Sequence, residues 1–341
     1  MSDFKPKCGC SGIGSIPHKK YSKVIDNIVK NYDFPYWPQV CNRGFIESMY
    51  VQFSEGMPSL NVDLENSHLF FDTKNDASLY EWYEKFIAKD LEHFKISEDY
   101  AYGFYEFIKK SKGSEYVKGQ TVGPISFGLA VFDQDKKPIL YDQQFFEAIV
   151  YSLGMKAVWQ VKKLKEVSEN VIMFFDEPSL CSYGSAFTAL EKDVVIKSLN
   201  EVIDTVKQEG AIVGIHCCGN TDWSLIMSTN TDIISFDAYN FSDRLALYPS
   251  DIKKFLERGS LAWGIVPTSE DITKENTKSL VNKLEQKIED FTKEGIAKDL
   301  ILEKMMITPS CGVGSLVKKD ADKVLKTTIN ISKKMKKKYF S

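Results

Sequence analysis

The sequence predicts an α/β protein with parallel strands inside and helices outside, and three observations carry that expectation. Short apolar, β-rich runs recur along the 341 residues. Long amphipathic helical patterns separate most of them. The runs break at Gly, Pro or polar residues instead of alternating apolar with polar. Such runs suit strands covered by helices on both faces.

In chain order the strand-like runs cover residues 11–16, 117–122, 171–175, 211–215, 232–236, 261–266 and 305–308, with an eighth over 48–53. Helical periodicity covers 143–167, 191–208, 274–294 and 319–337. In the last of these Ala321, Val324, Leu325, Ile331 and Met335 share one side and lysines cover the other. Eight β/α units in a chain of this length predict a TIM (β/α)8 barrel, with residues 1–341 forming one catalytic domain. An open doubly wound sheet is the alternative. It lacks its dinucleotide fingerprint, because Gly9, Gly12 and Gly14 followed by Pro17 have the wrong spacing. Residues 31–63, with Tyr32, Phe34, Pro35, Tyr36, Trp37 and Pro38, read as a long packed loop extending over the barrel mouth.

Composition narrows the function classes. Lys plus Arg is 44 and Asp plus Glu is 47, a net charge of −3, so nucleic acid is not an expected partner. Only Arg43, Arg244 and Arg258 are arginines, too few for a site that grips several carboxylates or phosphates by bidentate forks. No apolar run approaches the roughly 20 residues of a membrane span. Residues 1–7 carry no apolar stretch after their charges, so no signal peptide is expected and the location expected is the cytoplasm. Seven cysteines in a reducing compartment are metal ligands or buried fillers before they are disulfides.

The strongest local motif is His216-Cys217-Cys218-Gly219, directly after the 211–215 run. Residues i and i+2 of an extended chain point the same way, so His216 and Cys218 face one point and Cys217 faces away. Imidazole with thiolate is a zinc-type donor pair; the plainer reading is a buried histidine beside apolar thiols. Cys311 ends another run and opens a Gly-rich loop, and the strand ends of a barrel converge on one mouth. His216, Cys218 and Cys311 are therefore the candidate metal ligands, with Asp237 or an exogenous group as the fourth. Three protein ligands and one exchangeable position mark a catalytic zinc.

Asp176 and Glu177 end a further run and alternate in direction, so one of them faces the mouth. Asp176 is a candidate for a substrate ammonium, against the ordinary role of cap or turn former. Ile13, Gly14 and Ser15 offer backbone amides and a hydroxyl to an anion such as a carboxylate, or form a tight turn. Residues 118–124 read as pocket wall. Cys8 and Cys10 lack a second pair nearby and read as incidental.

Taken in order, these motifs resemble the catalytic barrel of cobalamin-independent methionine synthase and the related zinc methyltransferases of the uroporphyrinogen decarboxylase-like superfamily. The resemblance spans nearly the whole chain. It implies that Ile13-Gly14-Ser15 binds the homocysteine carboxylate, that residues 120–124 form the third-strand loop, and that Asp176 in Asp176-Glu177-Pro178 holds the amine. It implies Glu55 as the other amine-binding carboxylate and His216, Cys218 and Cys311 as ligands of Zn2+. Asp237 stands where the family's methionine synthases have a ligating glutamate, which is one methylene longer. The chain starts almost directly at the catalytic barrel, so the separate N-terminal barrel of the folate-using enzymes is not expected. Short enzymes of this kind are associated with methylcorrinoid donors, free or on a corrinoid protein.

The implied reaction moves a methyl group from a methylcorrinoid or methyltetrahydrofolate to zinc-bound homocysteine thiolate, giving methionine. A free thiol, with a pKa of about 8.5, is mostly protonated at neutral pH, and ligation to zinc removes that proton. A close alternative is methyl transfer to coenzyme M, which has no amine for Asp176 to hold. Porphyrin decarboxylation is disfavoured by the scarcity of arginine. A non-catalytic zinc-stabilised barrel that docks a corrinoid protein is the reading from a different class.

Overall fold

The computed structural model describes residues 4–74, 77–185 and 188–341. Seven strands form the central sheet: β1 (Gly9–Cys10), β2 (Tyr116–Val122), β3 (Asn170–Asp176), β4 (Ile212–Cys217), β5 (Ile233–Phe236), β6 (Ser260–Val266) and β7 (Met305–Pro309). Their order is β1-β7-β6-β5-β4-β3-β2, and every pairing is parallel. From β2 to β7 each strand lies beside its neighbour in sequence, and β7 returns to β1. Val171 through Asp176, Val213 through Cys217 and all of β6 are buried. That two-sided burial explains why the strands read as continuous apolar runs.

Between β1 and β2 the ladder is carried by the short extended stretch 34–37. Phe34 N–H donates to the Cys10 carbonyl (3.0 Å), Lys118 N–H donates to the Pro35 carbonyl (2.7 Å), and Trp37 N–H donates to the Lys118 carbonyl (3.3 Å). The Ser11 hydroxyl donates to the Phe34 carbonyl at 2.8 Å. The Tyr36 ring lies so close over Gly12 that a β-carbon there would collide with it.

Three expectations need correction here. Residues 48–53 are not a strand: 3-10 turns occupy Phe45–Glu47 and Val51–Phe53. Local bonds from Gln52 N to Ser48 O and from Ser54 N to Val51 O turn the backbone onto itself instead of along a sheet. The first run, 11–16, is not the sheet strand either. Gly9–Cys10, just before it, joins the sheet, whereas Ser15–Ile16 at its end pairs with Gln39–Val40 outside it. The aromatic segment 31–63 is more structured than a loop. It holds the 34–37 stretch, three 3-10 turns and the strand Leu60–Asp63, which pairs antiparallel with His68–Phe71.

The long helices fall where periodicity put them: Gln143–Leu164, Lys192–Lys207, Thr277–Lys293 and Lys318–Tyr339. Helix Lys318–Tyr339 buries Ala321, Val324, Leu325, Ile331 and Met335, the stripe read from sequence. Asp142 caps the first of these helices through Gln144 N and Phe145 N, and Asn276 forms a capping box with Ser279 on the third. Among the described residues no helix is long and apolar enough to cross a membrane.

Candidate metal centre and its cavity

Strand β4 ends at Cys217, so His216 is its last inward residue and Cys218 lies just past the end. Cys311 follows β7 by the same logic. Donor atoms of His216, Cys218 and Cys311 all lie within 4.8 Å of one another. Cys217 is fully buried on the opposite face, where its thiol lies 3.6 Å from the Gly219 carbonyl. His216 and Cys218 thus face one point and Cys217 lies away from it, as alternation along an extended chain requires.

The imidazole is fixed by its register partner. Ser235 on β5 is paired with His216, and its hydroxyl lies 2.9 Å from Nδ1. The other ring nitrogen, Nε2, is buried and has no hydrogen-bond partner. A buried polar atom left unpaired costs about 1–3 kcal/mol, so such an atom beside two thiols fits a metal ligand. With Nδ1–H donating to Ser235, Nε2 presents a lone pair, the tautomer that metal ligation requires. The Cys311 thiol donates to Cys218, and that bond together with His216 holds Cys218 far below the usual thiol range. The same bond and burial push Cys311 up. Two soft sulfurs and one imidazole are a zinc-type donor set.

These residues floor a cavity of about 590 Å3, walled also by Ile13, Ser15 and Asp176. Asp176 is the last residue of β3 and register partner of His216. Its Oδ1 is buried without a partner. Burial pushes its carboxyl up to about 6, although His216 and Lys118 pull the other way. Glu177 turns aside, as alternation requires. It accepts from Ile125 N (2.9 Å), Ser126 N (2.7 Å) and the Ser126 hydroxyl (2.6 Å) at the start of helix Pro124–Ala130.

The turn at Ile13, Gly14 and Ser15 is tied into both neighbouring loops. Gly14 O accepts from Gln39 N (3.2 Å), Ser15 O accepts from Val313 N (3.0 Å), and the Ser15 hydroxyl accepts from Gly314 N (3.2 Å). The loop after Cys311 is glycine-rich for a steric reason: a β-carbon at Gly312 or Gly314 would run into the Ser15 side chain.

Two candidates lie apart from this cluster. Asp237 caps helix Ala238–Leu245, taking Asn240 N at 2.9 Å and the Asn240 side-chain amide at 2.7 Å, and it is not within the donor group. Glu55 does not line the cavity; it accepts from Ser97 N at 2.7 Å. Cys8 and Cys10 are buried, their thiols pushed up to about 12 by desolvation, and they also lie outside the donor group.

Several cavity or supporting residues were not singled out from sequence. Glu47 lines the cavity as a buried carboxylate, bonded to Arg43 (2.7 Å) and to Val40 N (2.6 Å). Gln39 and Cys41 line it too, and Ser235 supports it from below; Lys118, in the stretch read as pocket wall, also lies beneath it. Only the aromatic and Pro-rich character of 31–63 signalled that this segment reaches the mouth. No spacing rule pointed to Glu47, because a 3-10 turn aims it.

Fold and cavity together define a parallel α/β protein with a His/Cys/Cys donor set at its strand ends, compatible with zinc. A Listeria monocytogenes protein put forward as a vitamin-B12-independent methionine synthase has the same fold. The match has a TM-score of 0.55 at 12% identity, over 97% of this chain and 98% of that one. A B12-independent methionine synthase from Shewanella sp. W3-18-1, solved with selenomethionine, aligns at a TM-score of 0.47 and 14% identity. That alignment covers 68% of this chain and 65% of the Shewanella chain, so about a third of the latter lies outside it. No protein-family profile and no curated protein matches the sequence.

Proposed function

We propose that this chain is a zinc-dependent methyltransferase that methylates the thiol of homocysteine to form methionine, using a methylcorrinoid, free or protein-bound, or methyltetrahydrofolate as donor. The observation that carries this reading is the pairing of two buried orphan atoms. His216 Nε2 and Asp176 Oδ1 both lack partners, and their residues wall one cavity with Cys218 and Cys311. One asks for a metal and the other for a cation such as an ammonium. We read 34–37 as the eighth stave of a (β/α)8 barrel, which makes this cavity the mouth at the strands' C-terminal ends.

His216, Cys218 and Cys311 would hold the zinc, whose chemistry there is to keep a substrate thiol ionised at neutral pH. The remaining work falls to the chain's own groups. Asp176 accepts the ammonium of the amino acid. The Ile13-Gly14-Ser15 turn takes the carboxylate. Holding both ends of the amino acid aims its thiol at the donor set and leaves the open side for the methyl donor. Asp237 is engaged by Asn240, so His216, Cys218 and Cys311 would hold the zinc and leave a position for the substrate sulfur. Coenzyme M would leave Asp176 unanswered, so the amino-acid acceptor is favoured.

The test is a turnover matrix: zinc-loaded protein with homocysteine or coenzyme M, against methylcobalamin or methyltetrahydrofolate, with methylated thiol measured. Methionine should form. Absence of product with every pair sinks the proposal, and methylated coenzyme M alone replaces it with the alternative. A zinc-stabilised docking module predicts instead that thiols leave the metal unperturbed. Cobalt substitution distinguishes these readings, because homocysteine should intensify the sulfur-to-cobalt charge-transfer band.

A further inference from the structure

Lys118 lies in the middle of β2, yet its side chain is only 2% exposed. Its ammonium donates to the Ile13 carbonyl at 2.7 Å and to Gln120 Oε1 at 3.3 Å. It also lies 4.9 Å from the Phe174 ring centroid and 5.8 Å from that of Tyr36. Desolvation lowers its pKa to about 8, and the nearby Asp176 carboxylate works against that shift. Burying a cation is expensive, and a neutral amide would satisfy one carbonyl at lower cost.

Lys118 belongs to a polar bracket under the cavity turn. Gln120 Nε2 donates to the Trp37 carbonyl at 2.9 Å, and Gln39 Nε2 donates to Gln52 Oε1 at 2.7 Å. The space beside Gly14 is closed by Gln39 and Gln120, so a β-carbon there would meet Gln39 Oε1 at 2.6 Å. Ile13 O and Gly14 N–H belong to one peptide unit, and no cis peptide occurs in the described chain. In a trans peptide the oxygen and the hydrogen point in opposite directions. A cation that grips the oxygen thus fixes the direction of the N–H and polarises it. That N–H lies between Ile13 and Ser15, which both wall the cavity.

We propose that Lys118 is the positioning residue for substrate carboxylate: acting through the Ile13–Gly14 peptide, it makes the turn at residues 13–15 selective for an α-amino acid over an amine lacking the carboxylate. Asp176 and Lys118 then form a fixed dipole whose ends match the ammonium and carboxylate of a zwitterion. The inference rests on the amino-acid reading of the cavity given above.

The test compares two thiols on zinc-loaded protein by calorimetry: homocysteine, and 3-aminopropane-1-thiol, which is homocysteine without its carboxylate. Wild-type protein should prefer homocysteine, and in K118M that preference should fall by roughly tenfold or more. The Kd of the carboxylate-free thiol should stay within about twofold and zinc content should be unchanged. K118Q, which keeps a donor but no charge, should show the same selective loss. A purely structural role would weaken both thiols together, and that result overturns the inference. If neither variant folds, the wild-type comparison still decides: equal affinities for the two thiols overturn it. If wild type binds neither thiol, the amino-acid reading fails and this inference with it. Retained homocysteine binding with an unchanged preference in K118M defeats the inference alone.

Discussion

At His216 each ring nitrogen has a separate environment. Nδ1 meets Ser235 and Nε2 is left bare, so the serine decides which nitrogen is offered to a metal. Ser235→Ala should lower zinc affinity about 10–100-fold without unfolding the chain, read by competition with a calibrated chelator. The cysteines divide by the same geometry. Cys311→Ala should lose most of its zinc on dialysis, whereas Cys217→Ala, on the opposite face of β4, should keep it. Full zinc retention by Cys311→Ala would mean that the centre lies elsewhere. Asp176→Asn should raise the KM for homocysteine by about tenfold or more, because an amide offers an ammonium a dipole where the carboxylate offers a charge. A KM unchanged while zinc is retained would remove Asp176 from the amine site.

At the scale of elements, strand ends and loops divide the labour. Strands β3, β4 and β7 bring Asp176, His216 and Cys311 to the same end of one parallel sheet, whose register runs unbroken from β3 to β6 and shifts once, between Gly264 and Val266, where β6 meets β7. Loops then finish the cavity, and they are held by side chains. Glu177 is the clearest example, since it joins the end of β3 to the first turn of helix Pro124–Ala130. Glu177→Ala strands two buried amides and a hydroxyl, and should cost about 3 kcal/mol in urea unfolding. The capping box at Asn276 is exposed and local by comparison. Asn276→Ala should cost only about 1 kcal/mol, and a larger loss would show that this helix carries more than its own end.

At the scale of the whole molecule, the His/Cys/Cys donor set sits at the edge of the apolar core. Apolar side chains fill both faces of the sheet, and the three donors occupy only its mouth. Chelation should therefore abolish thiol binding while leaving the circular dichroism spectrum and the cooperativity of melting in place. Unfolding on chelation would favour a structural zinc. Much of this was legible in the sequence. Apolar runs bounded by Gly and Pro predicted six of the seven sheet strands, because two-sided burial imposes a composition that survives without coordinates. The i, i+2 rule separated His216 and Cys218 from Cys217, because strand alternation is a local property of the backbone. Asp176 and Glu177 divided for the same reason. What only the tertiary structure decided was non-local. The stretch 34–37 bridges β1 and β2 through bonds to Cys10 and Lys118, and no pattern within four residues announces such pairing. The expected strand at 48–53 spends its backbone bonds on itself. Glu55 is claimed by Ser97, a partner invisible to spacing. Glu47, Ser235 and Lys118 reach the cavity or its supports only through neighbours distant in sequence. The sequence by itself determined which side chains could do the chemistry; packing decided which of them were left with an unpaired atom to do it.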